Sequence, residues 1–301
     1  MARADAVVAR SEPFGATTAL AALVKASDVV GLDAGDAELV RLGSNAVFRY
    51  RHASVIGRVA PSEARLESAR REVAVARWLA EAGVPAVRAL KVTQPLVAQH
   101  RVVTFWESAS DAVEYGSTVE LGLLLRQLHG LTSPLELPAY DPIGRALNRL
   151  HDLDGEYVPF LLDRIEQLRE PYSKLAFALP MGVIHGDANV GNVIRDRDRR
   201  AILSDLDGVS IGPREWDLVQ TALFYERLGW HTIEEYRGLV ETYGFDIMSW
   251  SGYPVMRDLR ELFMVAWLAE NAVSDTSLAA ELAVRVRALQ TGANRRNWRP
   301  L

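Results

Sequence analysis

Cysteine is absent from the 301 residues. That excludes a disulfide framework, a cysteine-based zinc site and a thiol nucleophile. Long apolar runs are absent as well. None approaches the roughly 18 residues of a membrane span. The opening MARADAVVARSEPFG lacks the apolar core of a signal peptide. A large excess of either charge is absent too. Lys and Arg number 34 against 39 Asp and Glu, a net of −5, whereas binding a nucleic-acid backbone needs a basic face. A cytoplasmic protein with no membrane and no nucleic-acid partner is expected. Neither G-x-x-x-x-G-K-S/T nor H-E-x-x-H occurs. What remains is ordinary globular composition, 49% hydrophobic and 24% charged, with length enough for one large domain or two lobes.

Periodicity divides the chain. Residues 17–30 carry an apolar stripe at helical spacing, with Thr17 or Thr18 as cap. Residues 38–42, 46–50 and 54–60 read as short strands, with Gly43-Ser44-Asn45 as the first turn. Residues 63–82 form a helix with Leu66, Ala69, Val73, Ala76 and Leu79 inward, stopped by Gly83. Residues 87–92 and 101–105 read as an antiparallel pair, and periodicity fades over 106–110. Helices are expected at 117–131, 157–169, 215–228, 233–243, 253–272 and 277–293; the Pro-rich 132–153 is ambiguous. The expectation is an α+β chain: a small β-rich N-terminal lobe, residues 1–108, and a larger, mainly helical C-terminal lobe, residues 109–301.

The chemistry concentrates in VIHGDANVGNVIRDRDRRAILSDLD, from Val183 to Asp207. Short apolar runs alternate there with polar turns. Asp187 and Asn192 have the D-x-x-x-x-N spacing of a protein-kinase catalytic loop. Asp205 follows at the end of the next strand. Phosphoryl transfer needs a carboxylate near the acceptor hydroxyl and oxygen ligands for a metal on the phosphates, and Mg²⁺ takes one or two carboxylates plus phosphate oxygens. Asp187 suits the first task; Asn192 and Asp205 suit the second. His185 is read as bracing the loop by hydrogen bonds, and His129 as structural.

HGDANVGN followed by ILSDLDGVSIGPREWDLV resembles the aminoglycoside phosphotransferase and choline kinase family, whose fold is protein-kinase-like. The resemblance implies Asp187 as catalytic base or hydroxyl-orienting residue and Asn192 and Asp205 as Mg²⁺ ligands. Asp207 falls where many members carry a second acid that can join the metal. Asp217, in GPREWDL, matches a recurrent aspartate that braces the active-site loops. In the first lobe the resemblance implies a cation on the third strand for the nucleotide phosphates, here Arg58, oriented by a helix glutamate, best matched by Glu72. An arginine at that place presents a fixed fork where a lysine presents a point charge. The glycine-rich loop is reduced to LGSNAVFR, whose Ser44 and Asn45 offer backbone N–H groups to a phosphate. Trp106, Glu107 and Ser108 stand where a hinge would meet the purine.

The function implied is transfer of the γ-phosphoryl group of ATP or GTP to a hydroxyl of a small molecule. An antibiotic of aminoglycoside type or an amino sugar is the leading acceptor, so a role in antibiotic resistance is expected. A metabolite kinase of choline or homoserine type is the alternative, and a non-catalytic nucleotide-binding module is a further one. Trp216, Tyr225, Trp230, Tyr253 and Trp267, with Glu226, Asp258, Glu261 and Glu270, supply aromatic and acidic groups that suit a cationic acceptor. Gly208-Val209-Ser210-Ile211-Gly212 formally matches G-x-S-x-G, but two carboxylates precede it instead of an apolar strand, which argues against a nucleophile elbow.

Overall fold

The structure, a computed structural model, describes residues 13–273 and 275–300. Most of the opening stretch read above for a signal peptide lies outside them. The chain divides into two compact units: residues up to Val113 with Arg195–Asp207, and Glu114–Ile194 with Gly208 onward.

The first unit begins with helix α1, Ala16–Val30, which ends at Gly31 in the left-handed region (φ 73°). Then come strands β1 (Ala37–Leu42), β2 (Ala46–Tyr50) and β3 (Val55–Ala60), helix α2 (Leu66–Glu81), and strands β4 (Leu96–Ala98) and β5 (Arg101–Glu107). The five strands form one antiparallel sheet in the order β1-β2-β3-β5-β4. Alternation along the strands separates two faces. Phe48, Tyr50, Val55 and Val59 turn to α1 and bury with Ala19, Leu23 and Ala26. Gly57 lies on that face too; a Cβ there would come within 2.5 Å of Leu23 Cδ1. Arg58, one residue on, points to the opposite face.

Two expectations need correction here. Residues 87–92 form no regular strand. Ala89 makes only an isolated bridge with Trp106, and the regular partner of β5 is β4. The backbone bonds Leu90 N to Phe105 O (2.9 Å) and Glu107 N to Arg88 O (2.8 Å) form, but Gln94 takes the next ladder position: Phe105 N donates to its Oε1 (2.7 Å) and its Nε2 donates to Leu90 O (2.8 Å). Periodicity also continues past residue 105, because β5 runs on to Glu107 with Trp106 buried.

The second unit is mainly helical. Helix α3 (Thr118–His129) starts at a capping box in which Ser117 Oγ accepts from Glu120 N and Glu120 Oε2 accepts from Ser117 N. The ambiguous segment holds α4, Pro142–Leu150. Asp141 caps it and Pro142 opens it, a start signal readable in the sequence. The expected helix at 157–169 divides into α5 (Val158–Glu166) and α6 (Arg169–Ser173). Strand β6 (Met181–Ile184) leads into the 185–192 loop. Strand β7 (Val193–Arg195) ends this stretch, β8 (Ala201–Leu203) belongs to the first unit, and β9 (Ser210–Pro213) pairs with β6. Helix α7 (Glu215–Leu223) runs into a π-helical turn at Phe224–Leu228; α8 (Ile233–Tyr243), α9 (Tyr253–Ala272) and α10 (Thr276–Thr291) follow. Near the C-terminus Trp298 is buried, and its carbonyl accepts from Trp230 Nε1. Among the described residues, no helix is long and apolar enough to cross a membrane.

Helix α1 is tied to the sheet by one buried polar contact, Ser27 Oγ to Tyr50 OH at 2.5 Å. Tyr50→Phe removes it and should cost about 1 kcal/mol in denaturant unfolding; an unchanged midpoint would show that the bond adds nothing.

Candidate active site

In the first unit, β3 and α2 bring Arg58 and Glu72 together at 2.5 Å, both largely buried. Asp205 Oδ1 lies 3.8 Å from Arg58 Nη2. The guanidinium also lies over the Trp106 ring, 5.7 Å from its centroid. Burial opposes the charge on Arg58, but Glu72, Asp205 and Asp207 outweigh it and raise its pKa. For Glu72 burial dominates: it pushes the carboxyl up to about 7, with Arg58 pulling the other way and the two aspartates adding to the rise. Ser44, Asn45, Arg58, Glu72 and Asp207 line one cavity, with Arg65. The structure therefore gathers six expected residues, since Asp205 touches the same guanidinium. The cavity offers a fixed cation beside the Ser44–Asn45 turn, groups suited to a phosphate.

Asp205 has a left-handed backbone (φ 56°), uncommon for a residue with a side chain. Among the described residues no three His, Asp or Glu form a metal cage. Mg²⁺ does not need one, because it keeps waters and takes substrate phosphates beside one or two carboxylates. Asp205 and Asp207 supply that number of carboxylates, so the donor chemistry fits.

In the second unit, the loop bearing Asp187 is clamped at the peptide before it. Asp217 Oδ2 accepts from His185 N at 2.6 Å, and its Oδ1 accepts from Gly186 N at 2.9 Å. The Gly186 carbonyl accepts from Trp216 Nε1 at 3.0 Å and Tyr140 OH at 3.2 Å. Asp217 also bonds His129 Nε2 at 2.9 Å, and His129 Nδ1 meets Tyr243 OH at 2.8 Å. Burial would raise the Asp217 pKa, but the bond and charge of His129, then of His185, prevail and lower it. His185 Nδ1 accepts from Asp187 N at 3.4 Å. Asn192 Nδ2 donates to Asp187 O (2.8 Å) and to Asp187 Oδ2 (3.1 Å), which leaves its carbonyl oxygen as the atom suited to a cation. The loop thus holds Asp187, Asn192, His185 and Asp217 in one hydrogen-bonded set.

Sequence reasoning missed Arg260, Gln220 and Tyr140. Arg260 Nη2 donates to Asp187 Oδ1 and to Gln220 Oε1. Its signal was available: Tyr253, Met256, Arg260 and Phe263 share one buried stripe of α9, and a charge on such a stripe needs a partner.

The acidic groups offered for a cationic acceptor are already paired. Glu226 takes Arg257 and Tyr253 OH; Asp258 takes Arg227 and Arg257; Glu261 takes Arg227 and Arg295; Glu270 takes Arg149. Trp216 and Tyr253 are buried. Ser210 lies buried in β9, donating to Gly208 O at 2.6 Å, so it stands on no nucleophile elbow.

A family model described as phosphotransferase enzyme family, APH, matches residues 38–259. The chain belongs to this family. It is a small-molecule phosphotransferase of the aminoglycoside phosphotransferase and choline kinase type. No curated protein matches the sequence. Among solved structures, an amicoumacin kinase in complex with AMP-PNP and Ca²⁺ is similar at 13% identity and TM-score 0.68, over 92% of this chain and 94% of that one. A spectinomycin phosphotransferase in complex with ADP and spectinomycin is similar at 16% identity and TM-score 0.62, over 93% and 92%. A choline kinase from Streptococcus pneumoniae is similar at 13% identity and TM-score 0.60, over 88% and 96%. At such identities these likenesses establish the kinase-like fold of the phosphotransferase.

Two outcomes are expected. The raised pKa means that folded Glu72 keeps its proton to higher pH than the unfolded chain does. Its contribution to stability is therefore present at low pH and is lost as pH rises from about 5 to about 7. Thermal melts of Glu72→Gln across that window should decline less than the parent; parallel curves would remove Glu72 from the balance. Gly186 has φ 85°, and a Cβ there would lie 2.5 Å from Gly208 O. Gly186→Ala should lose about 2 kcal/mol or more in unfolding experiments, and a neutral result would contradict the clamp.

Proposed function

We propose that this phosphotransferase moves the γ-phosphoryl group of ATP or GTP to a hydroxyl of a small molecule, with Asp187 as the base. The observation that carries the proposal is the hydrogen-bonded hold on Asp187: the preceding peptide is gripped by Asp217, Trp216 and Tyr140, and Asn192 meets the carboxylate itself. A carboxylate held this firmly suits a reaction in which the protein mainly positions reactants. The hydroxyl oxygen bonds to the γ-phosphorus, the bond to the bridging oxygen of the leaving diphosphate breaks, and the hydroxyl proton passes late to Asp187. Arg58, oriented by Glu72, binds the phosphates beside the Ser44–Asn45 turn. Asn192, Asp205 and Asp207 are the residues that would hold Mg²⁺, which when bound neutralises phosphate charge. His185 and Asp217 brace the loop. In this reading residues 1–108 bind the nucleotide and residues 109–301 carry the catalytic groups and bind the acceptor, in the ATP-bearing cytoplasm.

For the acceptor we propose first an antibiotic or amino sugar, supported by relatives named for amicoumacin and spectinomycin. A metabolite of the choline type stands second, supported by the choline kinase likeness. The pairing of Glu226, Asp258, Glu261 and Glu270 with arginines removes the case for a polycation made from acidic residues alone.

Purified protein with Mg-ATP or Mg-GTP and a panel of hydroxylated antibiotics, amino sugars and amino alcohols should give one acceptor a phosphate mass shift. Asp187→Asn should lower that turnover about 100-fold or more with nucleotide affinity little changed. Asp205→Asn should weaken Mg-nucleotide binding in calorimetry. Normal turnover in the first variant, or unchanged binding in the second, would withdraw that residue's role.

A further inference from the structure

Arg260 is a buried cation whose polar contacts converge on the proposed base. Its side chain is 3% exposed, while that of Asp187 is 46% exposed. The guanidinium carbon lies 5.3 Å from the centroid of Trp216 and 5.3 Å from that of Phe263. Nη2 donates to Asp187 Oδ1 and Gln220 Oε1. Nε and Nη1 are buried and have no hydrogen-bond partner among the described residues. A buried charge is tolerable only when compensated. The aromatic faces supply part of that; Asp187 is its only carboxylate ion-pair partner among the described residues.

The geometry also distinguishes the two oxygens of Asp187. Oδ1 is taken by the Arg260 charge, and Oδ2 by the neutral amide of Asn192 at 3.1 Å. The charge-assisted bond is the stronger. It comes from a side chain whose position is set by two rings and by Gln220, so it acts as a fixed stop for the carboxylate.

We propose that Arg260 is a positioning residue for phosphoryl transfer: it anchors Asp187 Oδ1 so that Oδ2, beside Asn192, is the oxygen presented to the acceptor hydroxyl. The proposal rests on Asp187 being the base. It places a determinant of the reaction on α9, well past the HGD loop in sequence. Trp216, which grips the Gly186 carbonyl, is also one wall of the Arg260 slot. The backbone and the side chain of the loop are therefore located by the same ring.

The test is a double-mutant cycle on Asp187→Asn and Arg260→Met, with Arg260→Lys as the charge-retaining variant, read by two measurements. The first is ADP release from Mg-ATP in the presence of the acceptor panel. Arg260→Met should lower kcat about 10- to 100-fold with KM for ATP unchanged. Arg260→Lys should recover part of the loss. In the Asp187→Asn background Arg260→Met should cause no further loss, because it acts only through Asp187. The second is thermal unfolding. Asp187→Asn should lower the Tm by stranding the guanidinium, and adding Arg260→Met should restore some of that loss. Losses that multiply in the double variant, a full kcat in Arg260→Met, or strictly additive Tm changes would each overturn the proposal. If Arg260→Met does not fold, Arg260→Lys carries the kinetic arm, and a kcat and ATP KM that fall together would overturn it. A parent protein that releases no ADP with any acceptor would overturn the phosphotransfer reading instead, and the thermal cycle would still report the Arg260–Asp187 pairing.

Discussion

The carboxylate of Asp217 is the point on which the HGD loop depends. It lies at the start of α7, fully buried, and accepts the two N–H groups that lead into Asp187. Those N–H groups have no strand or helix partner, because the chain is turning there through Gly186 at φ 85°. A buried donor without a partner costs as much as a lost hydrogen bond, so the turn exists only where an acceptor of this kind is supplied. His129 holds the same carboxylate from α3, and Tyr243 holds His129 from α8. Three helices thus meet in one chain of hydrogen bonds, and the loop inherits their rigidity.

Charge in the helical unit follows a related rule. By charge its acids suit a cationic acceptor, yet each of the four considered is matched with arginine. The buried Glu261 and the half-buried Glu226, Asp258 and Glu270 lose solvation, and neighbouring guanidinium groups compensate. Arg260 inverts the pattern: it is the cation that is buried, and the carboxylate that compensates it is the exposed Asp187.

In the first unit the controlling constraint is strand alternation. Gly57 must lie flat against Leu23 for α1 to close on the sheet. That places Arg58 on the other face, where α2 presents Glu72. The pair is consequently a result of packing on the opposite side of the same strand. Its electrostatics remain finely balanced, since burial disfavours both charges and their mutual attraction opposes that.

Local pattern was enough for much of this protein. Helical spacing marked α2, α8 and α9, alternation marked β2 and β3, and HGD with Asn192 and Asp205 marked the loops of the phosphotransferase. Such signals are carried by near neighbours in sequence, so they survive without knowledge of the fold. The rest needed distant partners. Gln94 ends the ladder after Leu90 only because Phe105 N lies within its reach. The acids of the helical unit lose their availability only because particular arginines reach them. Arg260 meets Asp187 only because α9 passes beside it, 73 residues away in sequence. Residue type and spacing determined which cations, amides and carboxylates the chain carries on its short turns. Tertiary packing decided which of them are buried, which are already paired, and which oxygen of Asp187 a buried charge restrains, because desolvation and ion pairing act through space.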